Sequence, residues 1–152
     1  MKWITADTGN EEYIIEFSLL GFSNHQSPDS SPSSLEEMLE NRGALFQDVL
    51  FEFIDARGLK DSDVYKRAGI DRRYFSKIRS NRRYVPKKNT VIALGLALRL
   101  DPDELDYLLS SAGYALMPSS RQDVIIRYCV EQGSYRLRDV NDLLYEHTGK
   151  TL

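Results

Sequence analysis

The dipeptide Gly69-Ile70, set between two short amphipathic segments, constrains the fold of this chain more than any other feature. Val64 and Ala68 precede it at i, i+4, and Phe75 and Ile78 follow at i, i+3, so each flanking segment has one narrow apolar edge. Asp71 stands where a side chain can cap a helix that begins at Arg72. Glycine suits the turn because positive φ costs it nothing sterically. The spacing predicts two short helices, Asp61–Ala68 and Arg72–Ser80, joined by a tight turn. Their apolar edges must face a common core.

The rest of the chain supplies that core. Ser34 is placed to cap Leu35–Glu40, with Glu37 at the capping-box position. Ala44–Ala56 carries a stripe of Leu45, Val49, Leu50, Phe53 and Ile54 and ends at Gly58. Asn89–Leu100 is apolar on most sides, as a buried central helix is. Asp103–Ser111 follows Asp101-Pro102 and stops before Gly113, and two further helices are expected at Arg121–Gln132 and Arg136–His147. One stripe of the last pair comprises Val124, Ile125, Tyr128 and Cys129. The other comprises Leu137, Val140, Leu143, Leu144 and His147. These stripes either extend the core or pair with another subunit.

The first 34 residues differ in kind. Residues 23–34 are dominated by Ser and Pro without an apolar residue, which marks a linker. Residues 1–22 form an N-terminal arm. Within it Tyr13, Ile15, Phe17 and Leu19 alternate as in a strand, so that Asp7-Thr8-Gly9-Asn10 becomes the turn of a β-hairpin. The same residues also fit a helix capped by Asn10 and ended by Gly21. A helical body at 35–116 and a two-helix extension at 117–152 complete the expected organisation.

Charge is sharply segregated along the chain. Residues 1–57 carry a net −8, residues 58–100 a net +9 and residues 101–152 a net −4, although the whole chain is only −3. Between Lys66 and Lys88 ten basic residues meet one acid, Asp71. Screening over about 8–10 Å lets such a patch act independently of the total. With Phe75 and Ile78 turned inward, Arg72, Arg73, Ser76, Lys77 and Arg79 face outward. Arg82, Arg83, Lys87 and Lys88 follow in an extended basic loop. A basic face on two helices joined by a turn is the electrostatic footprint of a nucleic-acid reader. Side chains near the start of the second helix reach base edges, and an Arg there can grip guanine with two hydrogen bonds. Arg72, Arg73 and Lys77 are expected at bases, and Arg79, Arg82, Arg83, Lys87 and Lys88 at phosphates.

Leu59–Ile70, Arg72–Ser80 and Thr90–Leu105, with its Leu-rich helix followed by Asp101-Pro102-Asp103-Glu104-Leu105, together resemble the phage-repressor type of helix-turn-helix, the Xre/Cro group. Leu108–Tyr114 looks like the ending of many bacterial members. The resemblance spans about residues 44–116. It implies a mainly α fold: a five-helix repressor-like bundle, here with the two-helix C-terminal extension and the short N-terminal arm. It implies double-stranded operator DNA as partner, a homodimer with two-fold symmetry and a role in transcriptional regulation. Four positions depart from the pattern. Asp61 stands where the family usually has Gln. Tyr65 and Ala68 exchange a small and a large residue at the helix crossing. Arg79 stands where an acidic residue is common. These departures and the long flanks motivate an alternative, a protein–protein adaptor or antitoxin-like module that docks a partner through the arm or the C-terminal helices.

Other classes find no support in the residues. No nucleophile–base pair and no Gly-rich phosphate loop is visible, so no enzymatic activity and no cofactor are expected. His25 and His147 lack a third ligand at useful spacing, which argues against metal. Cys129, the single cysteine, excludes an internal disulfide and reads as a buried thiol. The longest apolar stretch, Val91–Leu98, is well short of the roughly 20 residues a membrane span needs. With no signal peptide evident, the cytoplasm is the expected location.

Overall fold

The structure is a computed structural model that describes residues 34–152. The described residues contain eight helices and no strand: α1 (Leu35–Glu40), α2 (Phe46–Ala56), α3 (Asp61–Arg67), α4 (Arg72–Ser80), α5 (Lys88–Ala97), α6 (Pro102–Ser111), α7 (Arg121–Glu131) and α8 (Leu137–Thr148). The arm at 1–22, with its strand or helix, and the linker up to residue 33 lie outside them. The chain divides into two units, Met1–Gly43 and Ala44–Leu152.

In the first unit, Ser34 caps α1 by accepting the Glu37 N–H at 3.3 Å. None of the α1 residues is buried.

The second unit is organised around α5. Every residue from Val91 to Ala97 is buried, with α3, α6 and α8 packed against it. A helix apolar on all sides is stable in water only when it is wrapped. Gly95 lets α6 come close: a methyl group there would lie 2.5 Å from Leu105 Cδ1. α5 starts at Lys88, one residue earlier than the pattern suggests, because the chain leaves extended geometry at Lys87. It ends at Ala97, ahead of Arg99, which adopts a left-handed φ of 53°. Asp101 and Glu104 then start α6 with a reciprocal capping box, at 2.8 and 3.0 Å.

α7 and α8 belong to the same core. Ile126, Cys129, Val130, Val140 and Leu144 are buried with the residues of α2–α6. The α7 stripe is rotated from the expected one: Cys129 points inward, whereas Val124 and Tyr128 are 50% and 56% exposed. The adjacent Ile125 and Ile126 made the inward face ambiguous, and the buried carboxylate of Asp123 helps to select it. That carboxylate accepts the Lys88 ammonium at 2.6 Å and the Met117 N–H at 2.7 Å. Arg127 reaches Asp106 on α6 at 2.7 Å. Burial pushes the Cys129 thiol above its ordinary range.

Candidate nucleic-acid interface

The α3–turn–α4 unit is held by its sequence at every joint. Ala68 ends α3, Gly69 takes a φ of 69°, and the Asp71 carboxylate accepts the Tyr74 N–H at 2.7 Å to start α4. Phe75 and Ile78 are buried, and Phe75 meets Phe51 edge-on at 6.0 Å and Tyr65 at 5.8 Å. The bulk of Tyr65 thus fills space beside Phe75, while Ala68 is the small, buried member of the exchange. At the far end of α4, Gln47 of α2 donates its side-chain amide to the carbonyls of Ile78 and Arg79. These contacts leave α4 little freedom to rotate.

Arg72, Arg73, Ser76, Lys77 and Arg79 are exposed on α4, as expected, and Arg82, Arg83 and Lys87 are exposed in the following loop. Tyr114 donates its hydroxyl to the Pro86 carbonyl at 2.8 Å, and the Tyr84 hydroxyl donates to that of Tyr74 at 3.0 Å. Burial, then the hydrogen bond with Tyr84, holds the Tyr74 hydroxyl above its ordinary pKa. Both tyrosines serve packing here, and the Lys77 ammonium lies 4.4 Å above the Tyr84 ring.

The nine candidate residues are not electrostatically alike. Arg79 is gripped by Asp61 and lies 4.0 Å over the Phe51 ring, while Arg82 pairs with Asp48 at 2.9 Å. The Asp61 hydrogen bond raises the Arg79 pKa further. Lys88 is committed to Asp123 and sits at the base of the loop. Through the buried Asp123 carboxylate, Lys88 ties α5 to α7. By contrast Arg72, Arg73, Lys77, Arg83 and Lys87 form no ion pair with any described residue. The candidate cations without an ion pair among the described residues therefore lie along α4 and in the loop after it.

A second basic cluster was invisible to sequence reasoning. Lys66, Arg67, Arg99, Arg136 and Arg138 line a cleft of about 660 Å³ that also includes Tyr135 and Asp139. Beside it the first residue of α8 lies against the turn: a methyl group on Gly69 would be 2.9 Å from Leu137 Cδ2. Arg136 and Arg138 lie more than sixty residues beyond that turn in the chain, so no local pattern links them to it. No group of metal-binding side chains occurs among the described residues. No helix of the described residues is long and apolar enough to cross a membrane. Comparison with protein-family profiles, with curated proteins and with solved structures finds no match to this chain.

Proposed function

We propose that this protein is a sequence-specific DNA-binding regulator in which α2–α6 act as a repressor-type helix-turn-helix bundle. In this reading α4 enters the major groove. Arg72 and Arg73 read base edges, with Ser76 and Lys77 beside them, and Arg83 and Lys87 meet phosphates. The observation that carries the reading is the set of five cations, Arg72, Arg73, Lys77, Arg83 and Lys87, that form no ion pair with any described residue, on and just after a helix locked at both ends. Arg79 and Arg82 are secondary phosphate ligands, since exposed ion pairs are worth only about 0–1 kcal/mol and exchange readily. Two copies about a two-fold axis would present two α4 helices to one face of the duplex, about 34 Å apart.

A second reading, a protein-docking adaptor built on the same fold, is favoured by the three ion pairs that neutralise Arg79, Arg82 and Lys88. Fluorescence anisotropy with random-sequence duplex DNA separates the two. Four phosphate contacts, from Arg79, Arg82, Arg83 and Lys87, should weaken binding on the order of 10²-fold per copy between about 50 and about 200 mM salt. The Arg72→Ala/Arg73→Ala variant should bind less tightly. If the parent does not bind at the lower salt, the DNA reading fails and the adaptor reading takes its place.

A further inference from the structure

The outer face of α7 has a property that neither the core nor the basic surface explains. Arg121, Val124, Tyr128 and Glu131 follow one another at steps of three, four and three residues, the spacing of one seam along a helix. All four are exposed. Val124 and Tyr128 together form the apolar middle of the seam, and a cation and an anion close its two ends. The arrangement is symmetric about Ile126. Arg121 lies five residues before it and Glu131 five after, while Val124 lies two before and Tyr128 two after.

A stripe symmetric in this way, with opposite charges at its ends, is complementary to itself when reversed. We propose that α7 packs antiparallel against α7 of a second copy of this chain, across a two-fold axis at the level of Ile126. Arg121 of each copy then faces Glu131 of the other, and Val124 of each faces Tyr128 of the other. An isologous interface requires this reciprocity, in which each contact occurs twice. The neighbouring surface provides a seat for the incoming ring. Pro118, Val124, Ile125, Leu143 and His147 line a groove of about 560 Å³ beside Tyr128. An exposed tyrosine entering an apolar pocket next to a charged rim is the usual anatomy of an interface hot spot. Arg121 is free to turn outward, because its bond to the His147 carbonyl is long, at 3.4 Å.

The inference deepens the proposed function, which needs a two-fold dimer, and it is read without DNA. A single helix pair with its groove buries less than a standard interface, so the dimer should be weak, with Kd on the order of 1–100 µM. Sedimentation equilibrium of the full chain between about 1 and about 300 µM tests it against that range. The wild type should pass from monomer to dimer. Glu131→Arg sets like charges against each other at both ends and should leave a monomer whose circular dichroism is unchanged. Arg121→Glu combined with Glu131→Arg reverses both ends and should restore the dimer. A wild type that stays monomeric, a dimer indifferent to Glu131→Arg, or a failure of the double variant to recover would each overturn the proposal. A dimer that behaves as expected and does not bind DNA supports the interface and removes the DNA reading.

Discussion

Asp61 and Arg79 face each other across the α3–α4 unit, joined by two hydrogen bonds of 2.7 Å from the guanidinium Nε and Nη2 to the two carboxylate oxygens. Both residues depart from the repressor-type pattern, and the structure makes the two departures one feature. An acid at the start of α3 would lie near the path expected of a phosphate. Here its charge is spent on the last turn of α4. The pair also keeps Arg79 over Phe51, so the end of α4 is clamped by charge as well as by Gln47.

The pair is exposed, so its stability contribution is small. A double-mutant cycle with Asp61→Ala and Arg79→Ala should give a coupling of about 0.2–1 kcal/mol in urea denaturation. Its effect on DNA should be larger in kind. Asp61→Asn releases Arg79, so affinity for duplex DNA should rise and the salt slope should steepen by about one unit. Anisotropy titrations at several salt concentrations measure both.

Lys88 and Asp123 make a different sort of pair, with the carboxylate 2% exposed and the ammonium side chain 28% exposed. Asp123→Ala leaves a half-buried ammonium and the Met117 N–H without their acceptor. The cost should be about 2–4 kcal/mol, towards the lower end because water reaches the lysine. Lys88→Met, which removes the charge and keeps the stem, should cost less. Thermal denaturation of the two variants gives the order.

Gly95 should reverse the usual effect of a helical glycine-to-alanine change. Alanine gains about 1 kcal/mol in helix propensity at an exposed site. At Gly95 the added methyl would meet Leu105 Cδ1 in a filled core, and overpacking costs about 1–3 kcal/mol. Gly95→Ala is expected to lower stability by about 1 kcal/mol in chemical denaturation, where an exposed helical site would gain.

Glu104 provides an acid-sensitive contact. Burial alone would raise its pKa. The Asp101 N–H and the Arg57 guanidinium, at 2.8 Å, outweigh burial and hold it below the ordinary glutamate value. The folded state therefore favours the carboxylate. The stability this supplies is complete above the unfolded pKa of about 4.3 and is lost as pH falls through the lower folded value. In Glu104→Gln the melting temperature should fall less steeply than in the parent as pH is lowered below about 4.5.

Local features were legible in the sequence and distant ones were not. The boundaries of α4 follow from the Asp71 cap and the inward spacing of Phe75 and Ile78, and the structure has the same span, Arg72–Ser80. The buried character of α5 follows from its lack of a polar face. The expected outward direction of Arg72, Arg73 and Lys77 also holds. What could not be read was which cations are already satisfied. Arg82 meets Asp48, 34 residues away, Arg79 meets Asp61 over 18, and Lys88 meets Asp123 over 35. Charge counts treat all basic residues alike, and only the packed chain sorts them. The rotation of α7 was missed for a related reason. With Ile125 and Ile126 adjacent, periodicity leaves two faces open, and the choice rests on Asp123 finding Lys88.

The placement of Leu137 against Gly69 has a kinetic consequence. Leu137, the first residue of α8, packs against the turn between α3 and α4, and α8 is held in turn by Val140 and Leu144 in the core. Backbone amides of α3 and α8, some seventy residues apart, should therefore exchange with deuterium through one shared opening. Residues 117–152 would then set the lifetime of the surface that α4 presents, without touching whatever α4 contacts.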